Sequence, residues 1–102
     1  MPQAIVGLVS CQAMRNQAAT LEQRLVELQQ RILTDAACQG CELLRQGEVW
    51  QLRGLWVSRQ ALEANLRLPH LQEMLGRLLG EGLVQRLELY QEASGFSRSS
   101  GG

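Results

Sequence analysis

GEVWQLRGLWVSRQALEANLRLPH, residues 47–70, passes without a spacer from a strand pattern into a helix pattern, and it carries both tryptophans and the only histidine. Read with period two, Trp50, Leu52, Gly54 and Trp56 share one face, and Val49, Gln51, Arg53, Leu55 and Val57 share the other. Both faces are largely apolar. A strand covered on one side alternates cleanly between apolar and polar residues, so this one belongs in mid-sheet with a layer packed above and below it. Ser58 ends the strand and offers a hydroxyl to cap the helix that Arg59 begins.

Working upstream, Gln46-Gly47 is short enough for a hairpin turn, with Gly47 able to supply a positive φ. The neighbouring strand is then residues 41–46, where Cys41, Leu43 and Arg45 alternate with Glu42 and Leu44. Before it, Ala18, Leu21, Leu25, Leu28 and Ile32 recur at spacings of three and four, which predicts an amphipathic helix over residues 18–36. Asn16 or Thr20 can cap that helix, and Gln39-Gly40 breaks it. Residues 4–11, AIVGLVSC, are a second strand apolar on both faces. Downstream, the helix of residues 59–66 stops short of Pro69, which suits the first turn of a further helical piece with Leu71, Met74, Leu75, Leu78 and Leu79 on its stripe. Gly80-Glu81-Gly82 closes that piece, and residues 83–90 form a last strand with Leu83, Leu87 and Leu89 on one face. The segment 94–102, SGFSRSSGG, has the composition of a loose tail, which leaves residues 1–93 as the domain.

The order is β-α-β-β-α-β, which predicts an α+β, ferredoxin-like domain with a four-stranded antiparallel sheet. Right-handed crossovers place the first and third strands at the centre and both helices on one face. Those are the two strands that are apolar on both sides. The helices cover one face only, and the simplest cover for the other is a second copy of the same sheet, so a two-fold homodimer is expected.

Bulk properties narrow the function. A chain of 102 residues is one domain, and its ten basic and ten acidic side chains cancel without forming runs, so nothing marks a nucleic-acid or anionic-membrane partner. There is no secretory signal and no apolar run near the roughly 20 residues that span a bilayer, so a cytoplasmic protein is expected. Three cysteines do not make a disulfide framework. Cys38-Gln39-Gly40-Cys41 is a lone C-x-x-C that follows a helix instead of starting one, and neither His70 nor Cys11 stands at a metal-ligand spacing from it, so neither redox nor metal chemistry is expected there. No phosphate-cradling glycine loop, paired catalytic carboxylates or nucleophile triad is visible.

Residues 40–75, GCELLRQGEVWQLRGLWVSRQALEANLRLPHLQEML, resemble the core of the antibiotic biosynthesis monooxygenase family, one of the dimeric α/β-barrel proteins. The resemblance rests on Gly40-Cys41 entering the second strand, Trp56 ending the third, Ser58, the Ala61-Leu62-Glu63-Ala64 run and the Pro69-His70 pair. It implies a ferredoxin-like fold pairing into a dimeric α/β barrel, a pocket between sheet and helices, and no cofactor. Some members are cofactor-independent oxygenases of phenolic or quinol-like compounds; others isomerise sugars or degrade haem. Two positions depart from the family: Gly54 stands where an acidic residue is common, and Asn65 where many members have histidine. The haem-degrading branch looks for Trp at the latter position and His ten residues on, against Asn65 and Leu75 here, so haem breakdown is disfavoured.

Trp56 and Trp50, with Leu52 between them, share a strand face that can line an aromatic slot for a small hydrophobic or aromatic molecule, or can serve as packing or dimer contact. His70 is a candidate general base, or a solvated residue at a helix start. Asn65 is a candidate for orienting a substrate oxygen, or a locally bonded helix residue. Two functions follow. One is a cofactor-independent monooxygenase, or isomerase, acting on a small aromatic or quinol-like compound; the other is a non-catalytic dimeric domain that binds a small ligand or a partner.

Overall fold

The computed structural model describes residues 4–93; the segment read above as a tail lies outside the described residues. Seven elements follow one another: β1 (Ile5–Ala13), α1 (Ala18–Leu33), β2 (Cys38–Gln46), β3 (Val49–Trp56), α2 (Arg59–Leu66), α3 (Pro69–Gly80) and β4 (Val84–Ala93). The strands make one sheet of order β2-β3-β1-β4, antiparallel at every pairing. The two strands with apolar residues on both sides are the central ones, as their patterns require. Gly47, at φ 63°, takes the left-handed conformation that lets a two-residue loop join β2 to β3.

Period-two alternation divides the sheet into two faces. The helix face carries Ile5, Val9, Cys11 and Ala13 of β1 and Trp50, Leu52 and Trp56 of β3, all buried. Against it α1 packs Leu21, Leu25, Leu28 and Ile32, at spacings of four, three and four, and α3 packs Leu71, Leu75 and Leu78. The opposite face presents Val6 and Leu8 of β1, Val49 and Leu55 of β3 and Leu44 of β2, interleaved with Arg53, Ser10 and Gln51, with Val57 just beyond the end of β3. No helix of the described chain covers that face, and none is long and apolar enough to cross a membrane.

The break between α2 and α3 lies where Pro69 places it. Ser58 Oγ accepts from the Ala61 N–H at 3.1 Å, capping α2, and Pro69 occupies the first turn of α3. Several boundaries differ from the sequence reading: β1 runs on to Ala13, β2 begins at Cys38, the hairpin turn is Gly47-Glu48 and not Gln46-Gly47, β4 spans Val84–Ala93, and α1 differs in its N-terminal cap and in its last residue. Neither Asn16 nor Thr20 caps α1: Asn16 instead turns the chain at φ 64°, and Gln17 stands at the cap without a side-chain bond. The first helix ends at Leu33 and not at residue 36, because Asp35 closes a tight turn by accepting the Ala37 N–H at 2.9 Å and, through its main-chain carbonyl, the Cys38 N–H at 3.0 Å. Gln39-Gly40 accordingly does not end a helix. It forms a bulge within β2, so that Cys38 pairs with Trp56 and Cys41 with Gly54.

Candidate functional site

An interruption in side-chain packing under α2 opens the site. Gly7 of β1 and Gly54 of β3 stand directly opposite one another on the helix face, so the sheet there is bare backbone. Leu62 of α2 descends onto Gly7, where an added Cβ would lie 3.0 Å from Leu62 Cδ1. The Trp56 indole leans back along its own strand, and a Cβ on Gly54 would lie 2.9 Å from Trp56 Nε1. The space left is a cavity of about 200 Å³. Leu52, Gly54 and Trp56 border it on β3 and Leu62, Asn65 and Leu66 on α2, with Ile32, Leu89 and Gln91 among the rest of the wall.

The polarity of this wall is low and uncharged. None of the residues bordering the cavity is Asp, Glu, Arg, Lys or His. Asn65 is only 3% exposed and donates from Nδ2 to Asp35 Oδ2 at 3.0 Å. Trp56 is 2% exposed, with its Nε1 turned back over Gly54. Tyr90 borders the cavity, but its hydroxyl donates to Glu88 Oε1 at 2.7 Å on the exposed side. That bond to a carboxylate keeps the proton on the phenol and raises its pKa, so Tyr90 is not a base near neutrality.

No family model and no curated protein matches the sequence. Solved structures do match. A putative antibiotic biosynthesis monooxygenase from Deinococcus radiodurans is 20% identical, with a TM-score of 0.80 over 96% of this chain and 99% of that one. Another from Nitrosomonas europaea is 7% identical, with a TM-score of 0.79 over 92% of each chain. A Bacteroides thetaiotaomicron protein of unknown function, described as a possible oxidoreductase, is 14% identical, with a TM-score of 0.79 over 91% of this chain and 99% of that one. This chain has the fold of the putative antibiotic biosynthesis monooxygenases. At these identities the likeness is one of fold.

Within this monooxygenase-like fold, three sequence candidates gather at the cavity: Trp56, Leu52 and Asn65. Trp50 does not border it. Six residues of extended chain separate the backbones of Trp50 and Trp56 by about 20 Å, so a shared face does not give a shared slot. Trp50 is instead 4% exposed near the β2–β3 hairpin, under the Arg45 guanidinium at 4.7 Å from the ring centroid, and its Nε1 has no partner among the described residues. His70 lies in the first turn of α3, half-buried, and does not border the cavity either.

The cysteines are poorly suited to redox or metal work. Burial, with smaller contributions from Cys38 and Glu42, pushes the Cys41 thiol from the usual 9.0 to about 12. Burial alone takes Cys11 to about 11, and burial also raises Cys38. All three thiols are free, and among the described residues no group of three or more His, Cys, Asp or Glu side chains is placed to hold a metal. Asp35 escaped the sequence reading because it fell inside the predicted helix; its one signal is a short polar side chain that competes with helical backbone bonds.

Proposed function

We propose that the chain is a cofactor-independent monooxygenase acting on a small aromatic or quinol-like compound held between the sheet and α2. The observation that carries this reading is the cavity of about 200 Å³, lined by Trp56 and Asn65 and otherwise mostly apolar, with Tyr90 and Gln91 as its other polar neighbours. An apolar protein cavity of about 150 Å³ accommodates benzene, so this one has room for one ring or a compact pair. In such a reaction the substrate supplies the electrons: one atom of dioxygen joins a ring carbon and the other leaves as water. The protein contributes desolvation and orientation, with Trp56 Nε1 and the Asn65 amide directing the substrate oxygens. The fold shared with putative monooxygenases supports the assignment.

A binding-only role draws on one specific observation, the absence of a carboxylate, imidazole or ammonium from the cavity wall, which leaves no general base in contact with the ligand. Oxygen uptake with a panel of hydroquinones and naphthols divides the two readings. Turnover that is lost in Trp56→Ala and Asn65→Leu supports the oxygenase; saturable binding without oxygen consumption by any of the panel refutes it in favour of the binder.

The same reading includes a two-fold homodimer built on the outer sheet face. Supporting it are Val6, Leu8 and Leu55 on the two central strands and Val57 just past β3, an apolar set with no helix of the described chain above it.

A further inference from the structure

Asn65 is the single buried polar side chain of the described core, and the two ends of an amide are chemically different. Its Nδ2 donates to Asp35 Oδ2 at 3.0 Å, while Asp35 Oδ1 is held by the Ala37 N–H at 2.9 Å. Both carboxylate oxygens are therefore engaged. A carboxylate only accepts hydrogen bonds, so the NH₂ end of Asn65 must face Asp35 and the carbonyl end must face away from it. No described residue donates to that Oδ1, and Asn65 borders the cavity. The cavity thus receives a bare acceptor from Asn65, and its wall has no charge to compensate an ionised ligand.

We propose that Asp35 is a positioning residue that turns the Asn65 carbonyl oxygen into the cavity, so that the site selects an un-ionised hydroxyl, a hydrogen-bond donor, on its aromatic ligand. The inference rests on the cavity being the aromatic site argued above. It also makes an unusual demand of one substitution. In Asp35→Asn the Ala37 N–H still requires an acceptor, so it retains the carbonyl end of the new amide and sends the new NH₂ toward Asn65. Asn65 must then turn its own carbonyl to accept it, and its NH₂ enters the cavity. The preference of the site reverses.

The test measures affinities of naphthalene, 1-naphthol and 1-tetralone by calorimetry for the wild-type protein, Asp35→Asn and Asn65→Leu. The two oxygenated probes have similar size and differ in donating or accepting. The naphthol-to-tetralone affinity ratio is expected to be about tenfold higher in the wild type than in Asn65→Leu, the worth of one neutral hydrogen bond. In Asp35→Asn it is expected to fall below the Asn65→Leu value. A merely structural role would weaken both probes together and leave the ratio unmoved. If naphthalene binds but the ratio is the same in all three proteins, the positioning role is wrong while the aromatic site stands; if naphthalene does not bind the wild type at all, both fall. Should Asp35→Asn fail to fold, the ¹³C shift of the Asn65 side-chain carbonyl in the wild type decides: 1-naphthol must move it and 1-tetralone must not, and an unmoved carbonyl in the naphthol complex overturns the proposal.

Discussion

Replacing Gly54 by alanine adds one methyl group where the structure has no room for it. The new Cβ would lie 2.9 Å from Trp56 Nε1 and 3.6 Å from Trp56 Cδ1, both atoms of a rigid indole that is 2% exposed. The indole cannot yield by a small bond rotation as a leucine terminus can, so it must leave its rotamer or the strand must move. Overpacking of this kind costs about 1–3 kcal/mol. In a domain of this size about 1 kcal/mol corresponds to roughly 4–8 °C in Tm, so Gly54→Ala is expected to melt at least roughly 4 °C below the wild type. Gly40→Ala is the control, since a Cβ there meets nothing within 4 Å and the residue also sits in a strand. Thermal unfolding followed by circular dichroism measures both. The same methyl pushes the indole N–H from its place beside the cavity floor, so affinity for 1-naphthol should fall together with stability. If Gly54→Ala melts with Gly40→Ala at the wild-type temperature, the close approach of Trp56 to Gly54 is refuted, and with it the account of how the cavity is shaped.

Leu55→Glu places a charge among Val6, Leu8 and Val57 on the outer sheet face and should convert a dimer to a monomer in sedimentation velocity; a wild-type protein that is monomeric at micromolar concentration contradicts the two-fold assembly. His70→Ala should change naphthol affinity by less than about twofold, because the imidazole borders no part of the cavity, and a loss of tenfold or more would return it to the site. The folded chain keeps Cys41 and Cys11 protonated up to about 12 and about 11, whereas the unfolded chain releases those protons near the usual 9.0. Their contribution to stability is therefore complete below pH 9 and is lost as pH rises through the folded values. Denaturant midpoints should fall between pH 9 and 11, and replacing both residues by alanine should flatten that decline.

Much of the architecture is written in residue patterns. Two strands apolar on both faces can only be central, Ser58 and Pro69 bracket a short helix through hydroxyl capping and a missing N–H, and the structure follows each of these. The site is less legible, for reasons of geometry. Period two says that Gly54 and Trp56 share a face, but not that Gly7 of another strand lies opposite Gly54, since register across strands is set by the whole sheet. It also says that Trp50 and Trp56 share a face without conveying that they lie at opposite ends of it. Asp35 was hidden by helix periodicity that runs past the true end of α1. The indole that leans over Gly54 leaves no room for a larger side chain at that position, a contact that no sequence period conveys.

The central claim is that a small aromatic molecule enters the space between the sheet and α2. A crystal structure of the protein with 4-bromo-1-naphthol, recorded at the bromine absorption edge, tests it most directly. The anomalous peak is expected over the bare Gly7–Gly54 backbone, with the naphthol oxygen within hydrogen-bond distance of Asn65 Oδ1. A peak confined to the outer sheet face, or none at all with Trp56 and Leu62 closed against each other, would contradict it.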